Sequence, residues 1–106
     1  WTLGVADVPG DIAPRRLPRL HGRAPAVRGT LYRNGPGRFR RGASASGHWF
    51  DGDGLVRAWT LDGGNARLAA RFVDTPKRRL EERLGRIVQP GFGTPPGAGA
   101  SVASAD

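Results

Sequence analysis

The chain has 106 residues, a formal charge of +8 at pH 7 and no cysteine, so no disulfide bond can compensate for a small core. Glycine supplies 17 residues, proline 9, and only 38% of residues are hydrophobic, which excludes a large apolar core. No run approaches the roughly 18 apolar residues of a membrane-spanning helix, and no basic-then-apolar leader is visible. Because the chain lacks methionine and ends in Ala-Ser-Ala-Asp, we expect it to be a piece of a longer protein.

The positive charge is carried almost entirely by arginine, scattered from Arg15 to Arg86 among alanine, glycine and proline. A nucleic-acid surface gains affinity from clustered cations and from aromatic side chains on which bases stack. The sequence shows neither pattern, so we predict no nucleic-acid partner. A basic, non-enzymatic module that binds nucleic acid or anionic surfaces stays open as the alternative function.

The first part of the chain, residues 1–27, contains four prolines and no sustained period of 3.6 or 2, which predicts an irregular, extended lead-in. From Arg28 to Arg33, β-branched and aromatic residues predict a strand. Asn34-Gly35 tolerates positive φ angles, so we expect a tight turn to end that strand.

Alternation from Leu55 to Leu61 predicts a strand with Leu55, Arg57, Trp59 and Leu61 on one face. Asp62-Gly63-Gly64-Asn65 predicts a hairpin turn, and 66–75 the returning strand, with Leu68, Ala70 and Phe72 on one face. Trp49, Trp59 and Phe72 are expected to supply most of the buried apolar surface.

A short helix is predicted after Thr75, with Thr75 as N-cap, Pro76 at the first helical position and Gly85 just past the end. Leu80 and Leu84 form its expected apolar face. Residues 95–106 contain mostly Gly, Pro, Ala and Ser, which predicts a loop or disorder.

His48, Asp51 and Asp53 offer an imidazole and two carboxylates, a combination that can ligate a cation. The spacing does not fit a calcium loop, because Leu55 and Val56 stand where an oxygen ligand and a glycine are needed. We therefore interpret Asp51-Gly52-Asp53-Gly54 as turn chemistry. His48 is expected to be a partly buried structural residue bonded to a backbone carbonyl.

Four motifs follow one another in order: Leu-Tyr-Arg-Asn-Gly-Pro-Gly at 31–37, His-Trp-Phe-Asp-Gly-Asp-Gly-Leu-Val at 48–56, Arg-Phe-Val-Asp-Thr at 71–75 and Gly-Phe-Gly-Thr at 91–94. As a set they resemble the opening segment of the carotenoid cleavage oxygenases (the retinal pigment epithelial membrane protein / carotenoid oxygenase family) over about residues 27–94. Leu55 stands where the family often has Met, a swap of similar volume.

The resemblance implies an all-β fold, namely about one blade of a seven-bladed β-propeller. It assigns 1–27 to the lead-in, 28–94 to first-blade strands and turns, with one short helix, and 95–106 to a loop. It also implies a parent enzyme that uses non-haem Fe(II) and O2 to cleave a conjugated C=C bond of a carotenoid or apocarotenoid. Relatives also cleave stilbenes or isomerise retinoid esters, so the substrate is not fixed.

In the family, four histidines from later strands hold the iron. The resemblance therefore implies no catalytic residue and no metal ligand in this chain, which alone is expected to be inactive. Phe39 and Phe50 are the candidate substrate-binding residues, because the family threads a polyene through an apolar tunnel beside the first-blade turns. The expected partners are an apolar polyene and O2. The expected location is cytoplasmic, either free or peripheral to a membrane through parts outside this chain.

Overall fold

The computed structural model describes residues 6–19, 22 and 26–93, so the predicted loop over 95–106 lies outside the described residues. The elements are strands β1 (Ile12–Arg16), β2 (Arg28–Arg38), β3 (Arg40–Arg41), β4 (Ser44–Ala45), β5 (Asp53–Asp62) and β6 (Asn65–Phe72), and helix α1 (Pro76–Leu84). A 3-10 turn spans Trp49–Asp51. Within these ranges no helix is both long and apolar enough to cross a lipid bilayer.

Four strands form an antiparallel sheet in the order β1-β6-β5-β2. The predicted β5–β6 hairpin is confirmed: Asp62 pairs with Asn65, and Gly63 and Gly64 take φ angles of 54° and 108°. Positive φ at both central residues suits the twist of a two-residue hairpin. The register pairs Leu55 with Phe72, so the predicted apolar faces of β5 and β6 lie on the same side of the sheet.

Strand β1 lies within the segment that the prolines marked as irregular. Ile12 pairs with Ala70 and Arg15 with Leu68, and the register shifts between them, around Pro14. Proline has no N–H to donate and is tolerated at an edge strand or an irregularity. The strand therefore forms because β6 supplies backbone partners far along the chain, which local periodicity does not reveal.

The turn predicted at Asn34-Gly35 is wrong. β2 continues without a break to Arg38, and Gly35 is absent from the described glycines with positive φ. Asn-Gly tolerates a turn but does not require one, and pairing with β5 favours the extended form. The chain reverses instead at Gly42, with φ 56°, between β3 and β4.

Helix α1 begins and ends as predicted. The Thr75 side chain accepts a hydrogen bond from the Arg78 N–H at 3.1 Å, and Gly85 is left-handed with its N–H donating to the Glu81 carbonyl at 2.9 Å. The predicted apolar face is wrong at Leu84, which is 47% exposed, while Leu80 is half-buried and Glu81 is the buried residue of the helix.

The chain divides into two compact units, which we call the helix unit (1–9, 36–54 and 73–106) and the sheet unit (10–35 and 55–72). Buried apolar residues of the helix unit include Phe39 and Ile87, and those of the sheet unit include Leu55, Ala70 and Phe72. Phe72 is buried, as predicted. The predicted burial of Trp49 is wrong, since this residue is 56% exposed.

Candidate functional site

The second and fourth motifs meet in the helix unit. His48 caps the 3-10 turn, and its Nδ1 accepts a hydrogen bond from the Phe50 N–H at 3.1 Å. A ring nitrogen that accepts is unprotonated, so this contact fixes the imidazole in one tautomer when it is neutral. His48 is partly buried as predicted, but it accepts from a backbone N–H rather than donating to a carbonyl.

Asp51 joins the two motifs through its carboxylate. Its Oδ1 accepts from the Phe92 N–H at 2.6 Å, and its Oδ2 accepts from the Gly93 N–H at 2.9 Å. Both bonds are charge-assisted and therefore stronger than bonds between neutral groups. The carboxylate fixes a backbone segment about forty residues away.

Glycine is required at two positions of the fourth motif because the backbone approaches so closely. A Cβ at Gly91 would overlap the Asp51 carboxylate, and a Cβ at Gly93 would lie 2.5 Å from the His48 Cβ. Contacts this short do not occur between ordinary Cβ atoms. The Gly-x-Gly pattern is therefore explained by its packing against His48 and Asp51.

These contacts assemble three rings that we call the aromatic patch: His48, Phe50 and Phe92. The His48 ring lies 4.8 Å from the Phe50 ring and 4.8 Å from the Phe92 ring, edge-on to both. Phe50 and Phe92 are 79% and 80% exposed. Apolar rings grouped on a surface in this way mark an interaction site more often than isolated ones do.

Beside the patch, a cavity of about 270 Å³ opens in the helix unit. Its lining includes Phe50, Gly54, Thr75, Lys77, Ile87 and Pro90. Of the two phenylalanines predicted to bind substrate, Phe50 lies at this opening. Phe39 is 7% exposed and packs close to Gly52, so it is a core residue in this unit.

A buried charge cluster adjoins the cavity through Asp53 and Lys77, which both line it. The Arg41 guanidinium, with its side chain 4% exposed, binds the Asp53 carboxylate and contacts Glu82 at 2.6 Å and Glu81 at 3.8 Å. Lys77 lies 2.9 Å from Glu81 and 3.6 Å from Asp53. Opposite charges alternate through the cluster, as buried ions require.

Glu81 also binds backbone groups outside this cluster. Its Oε1 accepts from the Val88 and Gln89 N–H groups, each at 3.0 Å, and so fixes the chain after α1. Burial raises the pKa of the Glu81 carboxyl, but the Gln89 N–H, Lys77 and the Val88 N–H together outweigh it and hold the pKa below its ordinary value.

A carboxyl whose pKa is lower in the folded chain stabilises the fold above its unfolded pKa and loses that contribution as pH falls through the folded pKa. We expect the difference in unfolding free energy between the natural chain and Glu81→Gln to shrink as pH is lowered from the ordinary glutamate pKa of about 4.3. Urea titrations of both proteins at stepped pH measure this difference. A difference that stays constant down to the acid limit would contradict the assignment.

The described residues do not form an iron site. No group of three His, Cys, Asp or Glu side chains among them is placed to hold a metal. The carboxylates of the charge cluster are engaged by Arg41 and Lys77, and His48 Nδ1 is engaged by the Phe50 N–H. The donor set of these described residues therefore does not fit a metal.

Residues 7–105 match the family model described as retinal pigment epithelial membrane protein. The chain belongs to this family, as the four motifs predicted. It is 37% identical over 101 residues to the apocarotenoid-15,15'-oxygenase of Synechocystis sp., covering 93% of this chain and 18% of that protein. It is 35% identical over 77 residues to the human beta,beta-carotene 15,15'-dioxygenase, covering 72% of this chain and 14% of that protein.

Among solved structures, cobalt-substituted Synechocystis apocarotenoid oxygenase superimposes with a TM-score of 0.82 at 34% identity, covering 92% of this chain and 21% of that one. The antiparallel sheet and its short helix therefore match a piece of the carotenoid oxygenase fold. The chain spans between 14% and 21% of the length of these relatives.

Sequence reasoning missed the two residues that organise the charge cluster, Arg41 and Glu81. Each stands in a charged stretch, Arg38-Phe39-Arg40-Arg41 and Arg78-Arg79-Leu80-Glu81-Glu82, that is typical of solvated surface. One signal was available: Glu81 lies four residues after Lys77, a spacing that places both on one helix face. The more distant partner, Asp53, has no such local signal.

Proposed function

We propose that the chain is the N-terminal segment of a non-haem Fe(II)-dependent dioxygenase that cleaves a conjugated C=C bond of a carotenoid or apocarotenoid. The observation that carries the proposal is the 37% identity to an apocarotenoid-15,15'-oxygenase along almost the whole chain. The human relative is named a beta,beta-carotene dioxygenase, which supports the same class of substrate. Dioxygen and an apolar polyene are then the reactants.

In this proposal residues 28–94 belong to the first blade of a seven-bladed propeller, and the iron ligands come from the remainder of the parent. Among the described residues, His48 and the acidic side chains already have hydrogen-bond or ion-pair partners, which supports iron ligands outside this chain. A chain that lacks the ligands is inactive by itself.

In this proposal the chain contributes apolar surface for binding the polyene. Phe50, exposed at the mouth of the cavity, and Phe92 beside it offer rings against which a flat conjugated chain packs without desolvating polar groups. We propose Phe50 as a residue that lines the approach of the polyene. Phe39 contributes indirectly, by filling the core beneath Gly52.

The test is expression of the complete reading frame that contains this chain, loading with Fe(II), and incubation with an apocarotenoid in air. Addition of O2 across the cleaved double bond yields two carbonyl products, R–CHO and R′–CHO, with no other reductant consumed. We expect both aldehydes in equal amounts. Unchanged substrate with correctly folded, iron-loaded protein would contradict the proposal.

A further inference from the structure

One wall of the cavity in the helix unit lacks regular secondary structure. We call residues 87–91 the cavity wall, because four of them line the cavity: Ile87, Gln89, Pro90 and Gly91. No helix or strand of the described residues extends over this segment. Its backbone N–H groups therefore need partners from elsewhere in the unit to hold the wall in one position.

The Glu81 side chain supplies such partners from behind the wall. Its Oε1 accepts hydrogen bonds from the N–H groups of Val88 and Gln89, each at 3.0 Å. Both bonds go to a charged oxygen and are stronger than bonds between neutral groups. Glu81 does not line the cavity, and its side chain is 1% exposed. It acts on the cavity only through the backbone that it holds.

The other oxygen of Glu81 faces a second part of the cavity lining. Its Oε2 lies 2.9 Å from the Nζ of Lys77, a residue that lines the cavity. Arg41 lies 3.8 Å from the same oxygen and binds Asp53, which also lines the cavity. One buried carboxylate therefore connects the lining contributed by α1 with the wall that follows the helix.

We propose that Glu81 is a positioning residue for binding of the polyene, because it holds the cavity wall against α1 and so sets the width of the cavity. The inference rests on the proposed function, which supplies the ligand. A stiff conjugated chain binds more tightly when the walls around it are already ordered, since ordering them on binding costs affinity. The contacts of Glu81 all lie within the helix unit.

A role for Glu81 as a mere counter-charge fits these contacts less well. Arg41 also binds the carboxylates of Asp53 and Glu82, and Lys77 lies 3.6 Å from Asp53. Both cations thus keep an anionic partner when Glu81 is removed. The N–H groups of residues 88 and 89, in contrast, donate to Glu81. The wall depends on this side chain more than the cations do.

The test uses the complete, iron-loaded parent with Glu81→Gln. Glutamine has a similar shape but no charge, and its amide group would turn donor hydrogens toward Lys77 or toward the wall. We expect the Kd of an all-trans apocarotenal, measured without O2 by quenching of protein fluorescence, to rise about tenfold, as when one bond to a charged group is lost. In air, KM should rise by a similar factor and kcat should change less than about threefold.

The matched control is Glu82→Gln, which removes the same charge from the next residue, whose side chain is 49% exposed and contacts Arg41 at 2.6 Å. It should change the Kd less than about threefold. Glu81→Asp separates position from charge, because it keeps the carboxylate but is one CH2 shorter. It should raise the Kd by a factor similar to that of Glu81→Gln, and circular dichroism should show that all three variants are folded.

Natural affinity in either Glu81 variant, or a loss in Glu82→Gln as large as that in Glu81→Gln, would overturn the inference. A natural parent that binds the apocarotenal without cleaving it would contradict the proposed function alone, since the effect of Glu81 on the Kd is measured without O2. A natural parent that does not bind the apocarotenal would overturn both.

Discussion

Replacing Arg41 with methionine is expected to lower the free energy of unfolding by about 3–5 kcal/mol, because it removes one partner of a buried ion pair and leaves the other charged. The Asp53 and Glu81 side chains are 7% and 1% exposed, so neither carboxylate of the inner cluster can turn to water. Lys77, at 3.6 Å from Asp53 and 2.9 Å from Glu81, would face both negative charges alone.

A loss of this size is a large share of the 5–15 kcal/mol typical of a whole domain. Urea titration at neutral pH measures it. The control is Arg79→Met, which removes the same group from an exposed pair with Asp74, 57% and 67% exposed, and should change stability by less than about 0.5 kcal/mol. Similar small losses in both variants would show that the Arg41 cluster is solvated.

Replacing Asp51 with alanine is expected to release the Gly-Phe-Gly-Thr segment at 91–94 from the segment at 48–56 that contains Asp51. The carboxylate accepts two backbone N–H groups, at 2.6 and 2.9 Å, and each bond to a charged group is worth about 1.5–3 kcal/mol. Because the segment lies at the end of the described chain, we expect it to detach locally rather than unfold the whole unit.

Amide hydrogen exchange resolves this local opening. Protection of the Phe92 and Gly93 amides should fall about 100-fold, which corresponds to about 2.7 kcal/mol, while the amides of α1 keep theirs. In Asp51→Asn, which retains one acceptor oxygen, protection of these two amides should lie between that of the natural chain and that of Asp51→Ala. Asp74→Ala, which removes an exposed carboxylate, is the control and should leave both amides protected. Unchanged protection at Phe92 in Asp51→Ala would contradict the role assigned to this carboxylate.

The elements that local chemistry predicted are those whose signals need no distant partner. The β5–β6 hairpin follows from alternation and from Gly63-Gly64, and α1 follows from Thr75, Pro76 and Gly85. At Asn34-Gly35 the same kind of signal was overridden, because β2 gains ladder hydrogen bonds by staying extended beside β5. A turn-compatible pair lowers the cost of a turn without imposing one.

The site was less predictable because its contacts join residues far apart in the chain. Asp51 binds backbone groups at Phe92 and Gly93, and Arg41 meets Glu81 across the same unit. The sequence identified the segments at 48–56 and 91–94 as family motifs, but no pattern in it indicated that the two segments are in contact. Burial of Glu81 was hidden because a charged residue on a short helix is ordinarily solvated.

Product analysis under isotopically labelled O2 tests most directly the proposal that this chain belongs to a dioxygenase that cleaves polyenes. With the complete, iron-loaded parent and an apocarotenoid substrate, the proposal predicts two aldehydes, each carrying one labelled oxygen atom, and loss of both products when the metal is removed by a chelator. Oxygen drawn from water in both products, even when the aldehydes are reduced to alcohols before hydration can exchange their oxygen, or cleavage that survives complete removal of the metal, would contradict it.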